Sequence, residues 1–248
     1  MDDIRQYLDT TYLKTAVQAG LSEDDNREVV RSVVTEAIAE SFKLVMVRPD
    51  MVSMACSMVK AADSDVGVGT VIDFPEGDGG IEIKLEEAAR AIKDGADDLD
   101  FVANYKAFIA GERATVEAEV LQCTRLALRH GRVAKWIIEV AALTPEEIKG
   151  ICSLIKGVVT ANADVTDYRS VFIKSSTGFY STPEGIPNGA TPETIKLMME
   201  CASPLPVKAA GGVRTYQEAV AMINLGVKRI GTSSAKAIAH GKPAAGGY

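Results

Sequence analysis

Residues 84–102 read KLEEAARAIKDGADDLDFV, and the order of patterns inside them sets the fold. An amphipathic run ends at Asp94-Gly95, and the short strand pattern DDLDFV follows almost at once. Glycine suits the left-handed residue that closes a helix. A strand starting one or two residues later is the helix-to-strand loop of a parallel sheet. The phrase returns twice. VEAEVLQCTRLALRHG (116–131) leads into RVAKWIIEV (132–140), and YQEAVAMINLG (216–226) leads into VKRIGT (227–232). Helix starts are equally legible. Thr144-Pro145-Glu146-Glu147 and Thr215-Tyr216-Gln217-Glu218 form capping boxes, and Thr191-Pro192 opens a helix running to about Cys201.

Working outward, eight strand patterns fall at 7–11, 43–47, 66–72, 98–102, 133–140, 170–174, 205–209 and 228–232. Most are unbroken apolar runs, the mark of strands covered on both faces. Eight strand–helix units within 248 residues predict a closed (β/α)8 TIM barrel rather than an open doubly wound sheet. No compositional break divides the chain, so one domain over 1–248 is expected. Residues from about 241 onward read as a flexible C-terminal tail.

Composition narrows the function. Apolar residues make up 47% and charged residues 25%, which excludes a disordered chain. The net charge is −7 with no basic run, so nucleic acid and acidic membrane surfaces are not expected partners. No segment is long and apolar enough to span a bilayer, and MDDIRQYLDTTYLK resembles no signal or transit peptide. The four scattered cysteines contain no CxxC pair and read as buried thiols of a reducing, cytoplasmic compartment. With two histidines and no HExxH, no metal site is expected.

Active-site groups of such a barrel lie at the C-terminal ends of its strands. Lys174 ends VFIK. It is either a snorkelling lysine or an amine nucleophile whose proton affinity falls on burial. Lys208, inside LPVKAAGG on the next strand, is either a structural ion-pair partner or a like charge that weakens the proton on Lys174. At an ordinary pKa only about one lysine in 2,500 is neutral at pH 7; a pKa near 7 would leave about half neutral. Asp100 alternates with Leu99 and Phe101, which turns it into the barrel, where it needs a partner such as Lys208 or Lys174. Asp97 and Asp98 read as solvated. Asp9 is a similar candidate to Asp100. Lys135 is another interior charge candidate; it shares a strand face with Glu139, which allows an ion pair. Gly211-Gly212-Val213 after the seventh strand and Gly231-Thr232-Ser233-Ser234 after the eighth occupy the usual phosphate positions of barrels. No Walker A loop or dinucleotide fingerprint is present, so no nucleotide cofactor is implied.

In combination these residues resemble the deoxyribose-phosphate aldolase family. The matching blocks are DTTYLK (9–14), GADDLDFV (95–102), VAKWIIE (133–139), VFIKSSTGF (171–179), 189–191, VKAAGGVRT (207–215) and RIGTSS (229–234). The resemblance implies a Schiff-base aldolase without metal or cofactor. Such an enzyme cleaves 2-deoxy-D-ribose 5-phosphate reversibly to D-glyceraldehyde 3-phosphate and acetaldehyde, as a cytoplasmic homo-oligomer (dimer or tetramer). It implies Lys174 as the imine-forming residue, Lys208 as its perturber and Asp100 as acid/base. Asp9 and Lys135 match further active-site positions, and the terminal Tyr248 matches a tyrosine that assists proton transfer. Gly178, Gly211, Gly212, Val213, Gly231, Ser233 and Ser234 take the place of the phosphate cradle. Met46 stands where many members carry cysteine, Phe179 follows STG, and the 180–188 insert is longer than the family's usual loop. Another sugar phosphate or aldehyde as substrate, or a non-catalytic sugar-phosphate binder on the same barrel, stays open. A phosphosugar isomerase would need a Glu or His base rather than paired lysines.

Overall fold

The computed structural model describes residues 3–162 and 168–242. Eight parallel strands close into a barrel in sequence order. They are β1 (Leu8–Thr11), β2 (Leu44–Val47), β3 (Gly67–Ile72), β4 (Asp98–Val102), β5 (Val133–Ile137), β6 (Val171–Lys174), β7 (Val207–Ala210) and β8 (Arg229–Thr232). Pairing of Asp9 with Gly231 joins the last strand to the first. Among the described residues ten α-helices follow the strands: α1 (Ala16–Ala19) and α2 (Glu23–Glu40), α3 (Val52–Ala61), α4 (Ile81–Lys93), α5 (Tyr105–Ile109) and α6 (Arg113–Arg129), α7 (Pro145–Ala161), α8 (Pro192–Ala202), α9 (Tyr216–Asn224) and α10 (Ala235–Ala239). The Thr144–Glu147 and Thr215–Glu218 capping boxes form as expected. Gly95, Gly131 and Gly226 take φ of 105°, 67° and 104°, the region a β-carbon disfavours. Tyr248 lies outside the described residues.

Two strand ends differ from expectation by more than one residue. The 133–140 pattern stops at Ile137 because Glu139 turns left-handed at φ 55°. The 205–209 pattern starts only at Val207, after Pro206, which has no N–H to enter a ladder.

The main apolar core lies between the sheet and the helices. A second, smaller cluster of Leu13, Leu44, Met46 and Val71 packs with Phe74 and Phe179. It lines the β1–β3 side of the barrel interior. The opposite side is charged. Asp9, Asp98, Asp100, Lys135, Lys174, Lys208 and Arg229 are all buried there. Gly231 eases this fit, since a β-carbon on it would come within 3.1 Å of Lys208 Cε.

Candidate active site

The ladder register brings the charges together. Asp100 sits opposite Lys135, and Lys174 sits opposite Lys208. Asp100 accepts from Lys135 Nζ at 2.8 Å through Oδ1, and from Lys174 at 2.9 Å and Lys208 at 3.0 Å through Oδ2. Lys208 also pairs with Asp9 at 2.6 Å. Lys174, Lys208, Asp100, Asp9 and Lys135 therefore form one constellation, with Lys174 at 3% exposure on the floor of the cleft.

Burial drives the electrostatics of Lys174. Loss of water lowers its proton affinity most. Asp100 opposes this and Lys208 adds a smaller push, leaving a pKa of about 8. The paired-lysine account needs correcting: the cationic neighbour is secondary to desolvation, because Lys208 is itself clasped by two carboxylates. Burial would raise the Asp100 pKa, but Lys135, Lys174 and Lys208 together hold it well below the ordinary carboxylate range. Asp9 is likewise lowered, against its burial, by Arg229 and Lys208.

Two further expectations fail. Asp98 is not solvated. It starts β4 at 4% exposure and takes hydrogen bonds from Lys135 at 2.6 Å and Arg229 at 3.1 Å. Lys135 does not pair with Glu139. The left-handed turn carries the Glu139 carboxylate toward the segment after β6, where it accepts from Ser176 Oγ at 2.8 Å, from Thr177 N–H at 3.1 Å and from the Thr177 hydroxyl. Burial raises its pKa, partly offset by those hydrogen bonds. The four cysteines are free, but only Cys123 and Cys152 are buried; Cys56 and Cys201 are half-buried. None lines the cleft, and Met46 is fully buried in the apolar half of the interior.

Above Lys174 opens a cleft lined by Thr11, Leu13, Thr177, Gly178, Phe179, Asn188 and the loops after β7 and β8. Gly178, Gly211, Gly212, Val213, Gly231 and Ser233 all face it; Ser234 does not. Ser234 is buried, and its N–H donates to Thr232 Oγ1 at 3.0 Å. The Gly178 N–H is also engaged, donating to Ser176 Oγ at 3.0 Å. Gly211 and Gly212 hold φ of 79° and 88°. Gly189 backs them so closely that a β-carbon there would lie 2.5 Å from Gly211 Cα. Residue patterns gave no site role to Arg214, which is part of the lining, or to the buried Arg229 and Asp98. Insert residue Asn188 also lines the cleft, its carbonyl 2.7 Å from Ser176 Oγ. Phe179 stacks edge-on against Phe74 at 5.1 Å. Among the described residues, no group of three or more His, Cys, Asp or Glu side chains could hold a metal ion.

Fold and site together define a class: a (β/α)8-barrel enzyme with a buried, lysine-rich floor beneath a glycine-walled cleft. Residues 9–240 match the DeoC/LacD family aldolase model. The chain is 38% identical over 242 residues to deoxyribose-phosphate aldolase of Thermococcus kodakarensis, covering 97% of each. It is 36% identical over 239 residues to the Lactococcus lactis enzyme of that name, covering 96% of each. Among solved structures, an aldolase called QR15 superposes with a TM-score of 0.78 at 33% identity, over 97% of this chain and 96% of that one. The tetrameric deoxyribose phosphate aldolase of Aeropyrum pernix gives 0.76 at 28%, over 96% and 89%. The chain belongs to the DeoC/LacD aldolase family and is a carbon–carbon lyase.

Proposed function

We propose that this enzyme cleaves 2-deoxy-D-ribose 5-phosphate reversibly to D-glyceraldehyde 3-phosphate and acetaldehyde through an imine on Lys174. One observation carries the reading. Lys174 is the buried amine that opens on the cleft, it has a single carboxylate partner, and its proton is weakly held.

Neutral Lys174 attacks the aldehyde carbon of the open-chain sugar. Loss of water gives a protonated imine, which accepts electrons from the breaking C2–C3 bond as a base removes the C3 hydroxyl proton. Glyceraldehyde 3-phosphate leaves. The enamine is protonated at carbon and hydrolysed to acetaldehyde, freeing the amine. The Asp100 carboxylate and the Lys208 ammonium, 3.0 Å apart, exchange the protons, directly or through water. Asp9 and Lys135 hold that pair in place. Gly178, Gly211, Gly212, Val213, Gly231 and Ser233, with Arg214, receive the phosphate at the rim. Tyr248 assists the proton transfer. No metal or organic cofactor enters these steps.

The family context and the free thiols support a cytoplasmic homo-oligomer acting on small sugar phosphates and aldehydes. No helix among the described residues is long and apolar enough to cross a membrane. Light scattering gives the oligomer size.

The deciding experiment is product analysis with deoxyribose 5-phosphate in chelator, followed by borohydride reduction and peptide mapping. Both products should appear, and the added mass should sit on Lys174. Activity lost to chelator, or label on another lysine, would overturn the assignment.

A further inference from the structure

The interior charges form a pattern that pairwise contacts conceal. Arg229 donates from Nε to Asp9 at 2.6 Å and from Nη2 to Asp98 at 3.1 Å. Asp98 accepts from Lys135 at 2.6 Å, and Lys135 reaches Asp100 at 2.8 Å. Asp100 meets Lys208 at 3.0 Å, and Lys208 returns to Asp9 at 2.6 Å. The circuit closes. Three carboxylates and three cations alternate in a closed circuit that crosses the barrel interior, each touching two members of opposite sign, and their formal charges cancel. Lys174 is a fourth cation appended to Asp100 alone.

We infer that this ring is built to be neutral without Lys174, and that Arg229 and Asp98 are positioning residues whose charges decide whether the Lys174 amine keeps its proton. The inference rests on Lys174 being the reactive amine. A buried charge without a counter-charge is costly. The ring's three carboxylates are already matched, so an ammonium at Lys174 is a charge surplus to the ring at the floor of the cleft.

Every group facing Lys174 fits this account. β4 brings Asp100, β5 brings Lys135 and, past its end, Glu139, β7 brings Lys208, and β1 and β8 bring Asp9 and Arg229. β2 and β3 bring only Leu44, Met46 and Val71. Glu139 lies outside the circuit, engaged by Ser176 and Thr177, and adds a weaker attraction for the Lys174 ammonium. Burial works against the charge on Lys135 and Arg229, yet their carboxylate partners raise both. Lys174, by contrast, shifts toward neutrality.

The prediction is signed. Arg229→Gln leaves the ring one charge negative and should hold the Lys174 proton more tightly. Asp98→Asn leaves it one charge positive and should loosen it. The double variant restores neutrality. The readout is the pH midpoint for trace acylation of Lys174 by acetic anhydride, followed by peptide mass spectrometry, which requires no substrate. R229Q should raise the midpoint by about one pH unit, a tenfold loss of neutral amine at pH 7, and D98N should lower it by a similar amount. The double variant should return close to the parent. Shifts of the same sign, an unmoved midpoint, or a double variant displaced further than either single one would overturn the proposal. Should R229Q fail to fold by circular dichroism, the near-isosteric D98N carries the test alone: a fall supports the ring, and a rise or no change refutes it. If deoxyribose 5-phosphate never labels Lys174 under borohydride, the proposed function fails while the acylation midpoints still judge the ring.

Discussion

Removing the reactive amine should make the protein more stable, by an amount that depends on pH. Lys174 ionises at an ordinary 10.5 in the unfolded chain and at about 8 in the fold. The folded state therefore holds that proton about 3 kcal/mol less tightly. Below about pH 8 both states are protonated, and the fold bears the whole penalty. Between about 8 and 10.5 the unfolded chain keeps the proton while the folded one has released it, so stability from this group rises with pH. Above 10.5 both are neutral and the penalty is gone. Lys174→Met keeps the length of the side chain and removes the charge, consistent with the gain often seen when apolar groups replace buried ions. The variant should be inactive and should gain about 3 kcal/mol at pH 7 but only about 2 kcal/mol at pH 9 from the missing ionisation. Urea unfolding of parent and variant at both pH values reads the difference of differences. Packing changes and the titration of Cys56, whose thiol burial pushes up to about 11, are common to the comparison and largely cancel. A stability gap that stays constant or widens between pH 7 and pH 9 would refute the ionisation account.

Three further outcomes follow from the same geometry. Asp100→Leu and Lys208→Leu should each lower turnover by about a hundredfold or more, the scale of a lost proton-transfer group; steady-state kinetics showing parental kcat in either variant would remove that residue from the relay. In the parent enzyme, kcat/KM should climb about tenfold per pH unit below pH 8 and level off above it, because only the neutral Lys174 amine attacks; a flat profile from pH 6 to 8 would contradict this. Gly189→Ala places a β-carbon 2.5 Å from Gly211 Cα and must displace the glycine wall. KM for deoxyribose 5-phosphate should rise about tenfold while unphosphorylated deoxyribose is turned over nearly as before, as expected when a lost contact is one or two charge-assisted hydrogen bonds to phosphate; an equal effect on both substrates would place the phosphate elsewhere.

The barrel was legible because its strands are buried on both faces and its helices end in glycine, so both signals are local. The charged interior was legible only in part. Alternation that turns Asp100 inward turns Asp98 inward as well, two residues earlier; the neighbouring Asp97 made the pair look like a solvated turn. Alternation misled in the opposite sense at Glu139, where the expected face was extended past a strand that ends at Ile137 and turns left-handed. Arg229 begins an apolar strand much as Lys174 ends one, and the test applied to Lys174 would have found it. Hydrogen bonding sets the limit at the rim. The N–H groups of Gly178 and Ser234 are already donated to side-chain hydroxyls, which no residue pattern discloses.

A lysine beside a lysine is too simple an account of a reactive amine. Lys208 touches two carboxylates, so most of its field is cancelled before it reaches Lys174, and burial remains the leading influence. Burial alone, however, would neutralise every ionisable group in the interior rather than one. What singles out Lys174 is stoichiometry: six charges satisfy one another, and the seventh shares its one carboxylate with two other cations. Such a circuit needs residues from β1, β4, β5, β7 and β8 to meet across one axis, including Asp9 and Arg229 at opposite ends of the chain. In an open sheet these side chains would lie along a face and reach water. A closed barrel brings them within hydrogen-bonding distance across its interior, and the missing side chain of Gly231 eases the fit of Lys208 among them. The arrangement contributes little to stability, since buried ion pairs seldom repay their desolvation. Its persistence in the middle of the fold is therefore better explained by what it does to the proton on Lys174 than by what it does for folding.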